Sequence, residues 1–199
     1  EARRAGAAPD RLLLLQHPPT ITLGRGARSD TLLASAEQLA ARGIELHRVS
    51  RGGDITYHAP GQLVGYLVLD LAARGARDVH AFLRGIEAML ARALAELGVG
   101  ARTLAGYTGV FAQPEDGEPG GQRPRKIASI GVGVRDWVTY HGFALNVDID
   151  LRGFEAIIPC GLDFVEMTSV ARELGGAATA DLAARAREAV SAASRERWS

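Results

Sequence analysis

Apolar residues in the first third of the chain fall into short runs that are typical of β-strands. Arg11–Gln16 ends at a His-Pro-Pro sequence, and because proline cannot donate a backbone hydrogen bond, the strand is predicted to stop there. Thr20–Leu23 and Ile44–Val49 predict two further strands. Leu63–Leu71 is almost wholly apolar, which indicates a strand that is covered on both faces.

Two segments have helical spacing of apolar residues. Asp78 is predicted to cap the stronger helix, which Gly98 ends. Its apolar face comprises Phe82, Ile86, Leu90, Leu94 and Leu97. Asp30 is likewise predicted to cap a helix over Thr31–Arg42, with Gly43 past its end.

The C-terminal half combines strands with shorter helices. Val99–Leu104 and Tyr107–Ala112 predict strands, and Gln113–Arg125 has the proline, glycine and charge of a surface loop. Lys126–Val134 and Val138–Ile149 predict an antiparallel pair around a turn at 135–137.

After a tight apolar segment at 157–161, Thr168 and Ser169 can begin a short helix, and either Thr179 or Asp181 can begin an alanine-rich one. This mixed order of elements predicts an α/β (α+β) fold, in which a mixed sheet is backed by helices on one face. A doubly wound nucleotide-binding fold is disfavoured because no Gly-x-Gly-x-x-Gly sequence joins a strand to a helix. Lys126 also lacks a preceding phosphate-binding loop, so nothing supports the use of ATP.

Length and charge narrow the class of protein further. The 199 residues predict a single domain over 1–199, and 23 basic residues balance 23 acidic ones, so no net field attracts nucleic acid or an anionic membrane. We find no apolar run of membrane-spanning length and no signal peptide. A cytoplasmic location is therefore predicted. Because the chain begins at Glu1 rather than at a methionine, a processed or missing leader sequence is the alternative. One cysteine excludes a disulfide within the chain and fits a reducing compartment.

A glycine-rich polar stretch, Arg51–Gln62, is the strongest local signal. Gly52 and Gly53 allow the backbone to approach a ligand closely, and a turn at 59–61 leads into the apolar strand. Two interpretations stay open at this point, a substrate cradle and a glycine-rich hairpin without a ligand.

Lysine and cysteine are reactive residue types, and each occurs only once in the sequence. Lys126 is the only lysine beside 22 arginines, and lysine differs from arginine in being able to exchange its proton. Cys160, the only thiol, lies between Pro159 and Gly161 in a constrained turn. An adjacent ammonium favours the thiolate, which is the nucleophilic form of cysteine. Paired catalysis by Lys126 and Cys160 is one hypothesis; a buried structural cysteine and a surface lysine are the alternative.

The five histidines do not predict a metal site, because none pairs with another at ligand spacing on a helix. His58 and His141 have glycine-rich, polar neighbours, so they either line a pocket or are hydrogen-bonded core residues. His80 lies in the predicted long helix and is interpreted as structural.

Taken together, four motifs resemble the octanoyltransferase family of lipoate biosynthesis in both order and spacing. They are Arg51–Gln62, Lys126–Gly131, His141–Val147 and Pro159–Leu162. The resemblance implies a fold shared with the catalytic domains of lipoate and biotin protein ligases. It further implies that Cys160 carries the acyl group as a thioester and that Lys126 favours the ionised sulfur. By the same match, the acyl pocket is lined by Arg51, Gly52, Gly53, Asp54, Ile55, Thr56, Tyr57, His58, Ser129, Ile130, Gly131, Gly142, Phe143 and Ala144.

The family resemblance also implies the reaction and its partners. An octanoyl group would pass from acyl carrier protein to a lysine of a lipoyl domain, in the E2 subunits of 2-oxoacid dehydrogenases, or of the glycine-cleavage H protein. A thioester donor is already activated, so no cofactor, metal or nucleotide is expected. Small residues at 129–131 and 142–144 are expected to leave room for the acyl chain. Arg25, Arg28 and Arg51 are expected to form a basic rim for the acidic carrier.

Two other functions stay open beside the transferase. An ATP-dependent lipoate or biotin ligase on the same fold would use a lysine for the adenylate and would not need Cys160. A non-catalytic carrier-binding relative would need neither Cys160 nor Lys126.

Overall fold

The computed structural model describes residues 1–114, 123–176 and 181–198. Its strands are β1 (Arg11–Leu15), β2 (Thr20–Leu23), β3 (Glu45–Arg48), β4 (Ile55–His58), β5 (Gln62–Val68), β6 (Ala101–Leu104), β7 (Tyr107–Ala112), β8 (Arg125–Arg135), β9 (Val138–Asn146) and β10 (Glu166–Met167). Its α-helices are α1 (Ala36–Ala41), α2 (Val79–Glu96), α3 (Val170–Glu173) and α4 (Leu182–Trp198), and short 3₁₀ segments cover Leu151–Ala156 and Pro159–Gly161.

The larger sheet has the strand order β1-β5-β9-β8-β7-β6, with every neighbouring pair antiparallel. The short strand β10 pairs with β8 in parallel, which makes the sheet mixed, as predicted. The predicted β8–β9 hairpin is confirmed. Asp136 and Trp137 form its two-residue turn, with φ angles of 52° and 62°, the left-handed values that such a turn requires.

Helices α2 and α4 pack into one core cluster with this sheet. The predicted capping of α2 is confirmed, since the Asp78 carboxylate accepts a hydrogen bond from the Ala81 amide at 2.9 Å. Gly98 follows the end of α2 with a φ of 84°. Ile86, Leu90 and Leu94 are fully buried along its inner face, where apolar burial stabilises the fold at about 25 cal/mol per Å².

A second, smaller sheet was not predicted. It has the order β3-β2-β4, with β2 parallel to β3 and antiparallel to β4. This sheet has its own core cluster, which includes Ile21, Ile55 and Phe154. Each strand has only four residues, so sequence periodicity cannot assign the strands to one sheet or the other.

The predicted helix over Thr31–Arg42 is wrong in its first half. Only α1 is helical, and Ser35 caps it in a capping box with Gln38. Asp30 pairs with the Arg28 guanidinium instead of capping a helix. The backbone before Ser35 is not helical because it binds the segment that precedes Cys160, with the Leu33 amide donating to the Ala156 carbonyl at 2.9 Å.

The predictions for the last third of the chain have mixed outcomes. Ser169 caps α3, which confirms that a short helix begins there. Helix α4 begins at Leu182, and the Asp181 carbonyl accepts a hydrogen bond from the Arg185 amide. Thr179 and most of the predicted surface loop lie outside the described residues. Within the described part of the chain, no helix is both long and apolar enough to cross a bilayer.

Candidate active site

A cavity of about 290 Å³ lies between the two sheets. Strands β2, β3 and β4 supply one wall, and β5, β8 and β9 supply the other. The lining residues are His17, Pro18, Thr20, Thr22, Glu45, His47, Val49, Arg51, Thr56, His58, Val64, Tyr66, Ser129, Ile130, Gly131, His141, Gly142, Phe143 and Ala144. Nine of these are among the fourteen predicted pocket residues.

The alternation of side chains along β4 divides the predicted residues 55–58. Thr56 and His58 face the cavity, whereas Ile55 and Tyr57 face the other way and are buried in the smaller core cluster. The expectation that Ile55 and Tyr57 line the pocket is therefore wrong. The family motif names consecutive residues, whereas only alternate residues of a strand face the same side.

Three other predicted lining residues do not line the cavity. Gly52, Gly53 and Asp54 instead form hydrogen bonds that hold their loop against neighbouring segments. The Gly52 amide donates to the Val132 carbonyl at 2.7 Å, which ties the loop to β8. The Gly53 carbonyl accepts from the Gly26 amide at 3.0 Å. The Asp54 carboxylate accepts from the Thr31 hydroxyl at 3.0 Å, so this loop also binds the segment before α1.

Arg51 lines the cavity, as predicted, but it does not belong to a docking rim. Only 9% of it is exposed, and its guanidinium donates to the Thr22 hydroxyl at 2.9 Å and to the Thr22 carbonyl at 2.7 Å. Burial lowers the pKa of Arg51. The buried cation therefore fixes the cavity wall, while Arg25 and Arg28 remain exposed.

The glycines of the wall make room for the protein itself. A Cβ on Gly131 would lie 3.0 Å from the Gly52 carbonyl oxygen and 3.1 Å from Arg51 Cδ. A Cβ on Gly142 would lie 2.2 Å from the Gly65 carbonyl oxygen. These positions therefore allow close approach of neighbouring backbone, and because both glycines also line the cavity, the expectation that they leave space for an acyl chain stays a prediction.

The structure brings the two predicted catalytic residues together. Lys126 lies near the start of β8 and is only 1% exposed. Its ammonium donates to the Thr108 carbonyl at 3.2 Å and to Cys160 Sγ at 3.4 Å. Its nitrogen also lies 5.6 Å from the centroid of the Phe111 ring. A buried ammonium with these partners can pair with a thiolate.

Cys160 lies in a strained turn beside the cavity. Its φ of 56° is in the left-handed region, which a non-glycine residue adopts at an energetic cost of about 1 kcal/mol or more. The partly buried sulfur is 3.9 Å from Ser129 Oγ, and Ser129 lines the cavity. Neither Cys160 nor Lys126 is itself a wall residue, so Ser129 marks where the cavity meets the sulfur.

The other end of the cavity contains histidines and Tyr66. His17 Nε2 is 2.6 Å from the Tyr66 hydroxyl, and the His17 ring lies 5.7 Å from that of His58. Both His58 and His141 line the cavity, and His58 is hydrogen-bonded as well, so it fits both interpretations left open for it. Sequence reasoning missed His17 and Tyr66; the alternation of Val64 and Tyr66 along β5 was the available signal.

Hydrogen bonds set the tautomer of His58. Its Nδ1 is 2.7 Å from Gln62 Oε1, and because the Gln62 amide nitrogen donates to Asn146 Oδ1 at 2.8 Å, Oε1 is the acceptor for an Nδ1 proton. The free Nε2 then accepts from the Thr22 hydroxyl at 3.3 Å. Burial lowers the pKa of His58 to about 4, and it also lowers the pKa values of His17 and His141.

These lowered pKa values leave the three rings neutral at physiological pH. This end of the cavity therefore offers weakly polar aromatic surface to an uncharged ligand. Among the described residues, no group of three or more His, Cys, Asp or Glu side chains is placed to hold a metal ion.

Comparison with known proteins defines the class. Residues 1–191 match the family model of the lipoyl protein ligase A/B catalytic domain. The fold resembles that of a bipartite lipoate protein ligase from Thermoplasma acidophilum, with a TM-score of 0.72 and 19% identity over 94% of this chain and 71% of that one. The chain belongs to the lipoyl protein ligase A/B catalytic domain family.

Two curated relatives specify the branch of that family. An octanoyltransferase from Acidobacterium capsulatum is 47% identical over 180 residues, which cover 87% of this chain and 72% of the relative. An octanoyltransferase from Chloroflexus aurantiacus is 48% identical over 185 residues, covering 92% and 79%. Within the family, the chain is one of the octanoyltransferases, and hence an acyltransferase.

Proposed function

We propose that this protein transfers an octanoyl group from acyl carrier protein to a lysine of a lipoyl domain through a thioester on Cys160. The observation that carries the proposal is the 3.4 Å contact between the Lys126 nitrogen and the Cys160 sulfur, at the edge of a cavity between the sheets. Membership of the octanoyltransferases supports the same reaction.

The first half-reaction moves the acyl group onto the protein. The Cys160 thiolate attacks the carbonyl carbon of the carrier thioester, a new C–S bond forms, and the carrier sulfur leaves. The Lys126 ammonium gives its proton to that leaving sulfur. The products are the Cys160 thioester, the free carrier thiol and a neutral Lys126 amine.

The second half-reaction moves the acyl group to the acceptor. The uncharged lysine amine of the lipoyl domain attacks the Cys160 thioester, and the amide forms as the Cys160 thiolate leaves. The proton lost by the acceptor nitrogen returns to Lys126, which restores the starting thiolate and ammonium. No net proton or electron is consumed, so this cycle needs no nucleotide or metal.

The cavity suits the acyl tail. Val64, Ile130, Phe143 and Ala144 supply apolar surface, and the volume of about 290 Å³ is small for a ligand site. We propose that the tail extends from the sulfur at Ser129 toward the neutral histidines. This places the carboxyl carbon near Cys160 and the methyl end near Tyr66.

The partners follow from the reaction. A bipartite lipoate protein ligase was solved as part of an archaeal lipoylation system with its E2 lipoyl domain. We propose lipoyl domains of 2-oxoacid dehydrogenase E2 subunits and the glycine-cleavage H protein as acceptors for this chain. We propose octanoyl acyl carrier protein as the donor and the cytoplasm as the setting.

Intact-mass analysis tests this function directly. The protein is mixed with octanoyl acyl carrier protein in the absence of nucleotide, and we expect its mass to rise by one octanoyl group that peptide mapping places on Cys160. Adding lipoyl domain is expected to discharge the adduct and to acylate the domain. The matched control is Cys160→Ala, which should gain no mass.

An adduct on another residue, or acylation of the lipoyl domain only when ATP is supplied, would contradict the proposal. The second result would favour the ligase alternative. Unchanged transfer by Cys160→Ala and Lys126→Ala would instead favour a mechanism that uses neither side chain.

A further inference from the structure

Glu87 is a buried carboxylate that neither the sheet packing nor the proposed transfer uses. It lies on the inner side of α2 with 2% exposure, and it is the only acidic residue among the buried polar side chains of the described chain. One of its oxygens accepts a hydrogen bond from the Gly109 amide at 2.9 Å. The other accepts from the Arg84 guanidinium at 2.6 Å.

The Gly109 amide shares one peptide group with the Thr108 carbonyl. That carbonyl accepts the hydrogen bond from the Lys126 ammonium at 3.2 Å. A peptide group is planar and rigid, so the direction of its N–H fixes the direction of its C=O. The Glu87 carboxylate therefore contacts one side of a single peptide, and the Lys126 ammonium contacts the other.

Further contacts hold this peptide against Lys126. Arg84 donates a hydrogen bond to the Thr108 hydroxyl at 3.3 Å. Arg84 therefore binds both Glu87 and the residue whose carbonyl accepts from Lys126. Gly109 has a φ of 136°, and a Cβ there would lie 2.7 Å from Lys126 Cε. Only glycine lets the backbone run so close to the lysine side chain.

We propose that Glu87 is a positioning residue for Lys126. By binding the Gly109 amide, it aims the Thr108 carbonyl at the ammonium and so keeps the ammonium against the Cys160 sulfur. The charged groups alternate in sign. The Arg84 cation contacts the Glu87 anion on one side of the peptide, and the Lys126 cation contacts the Cys160 thiolate on the other. This inference rests on the proposed roles of Lys126 and Cys160.

The rate of Cys160 alkylation by iodoacetamide tests the inference without any substrate. Only the thiolate reacts, and Cys160 is the only thiol in the chain, so the rate reports the ionised sulfur directly. Glu87→Gln keeps the size and an acceptor oxygen but removes the charge. Glu96→Gln makes the same change on the same helix, away from Lys126, and is the matched control.

We expect Glu87→Gln to slow alkylation about threefold to tenfold at neutral pH, since a charge-assisted hydrogen bond is replaced by a neutral one. Glu96→Gln is expected to match the parent protein. We also expect the effect of Glu87→Gln to disappear in a Lys126→Met background, because the path to the sulfur is then interrupted.

The direction of the change separates positioning from folding. A carboxylate that only stabilised the fold would, when neutralised, loosen the protein and expose the thiol, so alkylation would become faster. Arg51, whose guanidinium interacts electrostatically with Cys160, is unchanged in both variants. Unchanged or faster alkylation in Glu87→Gln, or an equal effect with and without Lys126, overturns the inference.

Failure of the inference can be distinguished from failure of the proposed function. If the parent protein forms the octanoyl adduct but Glu87→Gln alkylates normally, only the role of Glu87 is lost. If the parent protein forms no adduct, the transfer mechanism itself is wrong, whatever Glu87 does to the thiolate.

Discussion

The two ends of the cavity are built from opposite kinds of polar group. At the sulfur end, a buried ammonium faces a thiol in a strained turn, and the arrangement can hold charge. At the histidine end, burial lowers the pKa values of three rings and keeps them neutral, and His17 and His58 form hydrogen bonds with Tyr66, Gln62 and Thr22. We propose that proton transfer is confined to the sulfur end, while the other end accommodates an uncharged tail.

Removing the groups of the sulfur end should have the largest effect. Cys160→Ala is expected to lower octanoyl transfer by about a thousandfold or more, because no nucleophile remains. Lys126→Met should lower it by about a hundredfold or more, since proton transfer is lost but the thiol stays. Single-turnover transfer from octanoyl carrier protein measures both.

If Lys126→Met retained more than about a tenth of the parent rate, the loss would be too small for a general acid. That result would contradict the assignment of proton transfer to the sulfur end of the cavity. Tyr107→Phe, a conservative change at a residue 39% exposed, is the control for handling and expression.

Acid should act first on the histidine end. The pKa of His58 is about 4 in the folded protein against an ordinary value of 6.5, so the unfolded chain binds more protons between these pH values. Stability is therefore expected to fall as the pH drops from about 6.5 to about 4, by about 1.4 kcal/mol per pH unit, or about 3 kcal/mol in total. Urea unfolding at several pH values measures the slope.

His17 and His141 act in the same direction because burial lowers both of their pKa values. His58→Asn should flatten the pH slope, although it also lowers stability at neutral pH. A slope as steep in His58→Asn as in the parent protein would contradict the assignment.

Added volume should affect the two ends differently. Ala144 pairs with Ser129 beside the sulfur, whereas Tyr66 pairs with Gly142 two residues further along the sheet. Tyr66→Trp is expected to lower kcat/KM for an octanoyl donor about tenfold while leaving a butanoyl donor within about twofold. Ala144→Leu should lower both donors alike. Equal discrimination by the two variants would show that the tail does not point toward Tyr66.

The smallest expected effect concerns the exposed arginines. Arg28 lies outside the cavity, next to the Asp54 carboxylate that also approaches Gly161. Arg28→Gln is expected to lower kcat/KM for the acyl carrier about twofold to threefold at low salt and to have no effect at high salt, because surface charges are screened. Arg185→Gln, on α4, is the control. The same loss at both salt concentrations would exclude a role in docking.

Sequence patterns were most informative where a signal extends over many residues. The spacing of apolar residues predicted α2, and the paired strands β8 and β9 were predicted with their turn. The close approach of Lys126 and Cys160 was expected because each is the only residue of its type and both fall in family motifs.

The missed features depend on contacts between distant segments. The non-helical backbone before α1 could not be predicted, because it depends on the Leu33 amide reaching the Ala156 carbonyl. The inward burial of Arg51 depends on Thr22, which lies 29 positions earlier. Glycines gave an ambiguous signal, since room for a ligand and room for a neighbouring strand require the same residue.

The burial of Lys126 has a consequence for selectivity. Since the chain has no other lysine, it presents no lysine amine of its own on its surface. An acyl thioester formed on one molecule therefore cannot be intercepted by a lysine on the surface of a second copy, even at high concentration. Self-modification of a lysine is confined to one internal nitrogen, and every competing lysine must arrive on another protein.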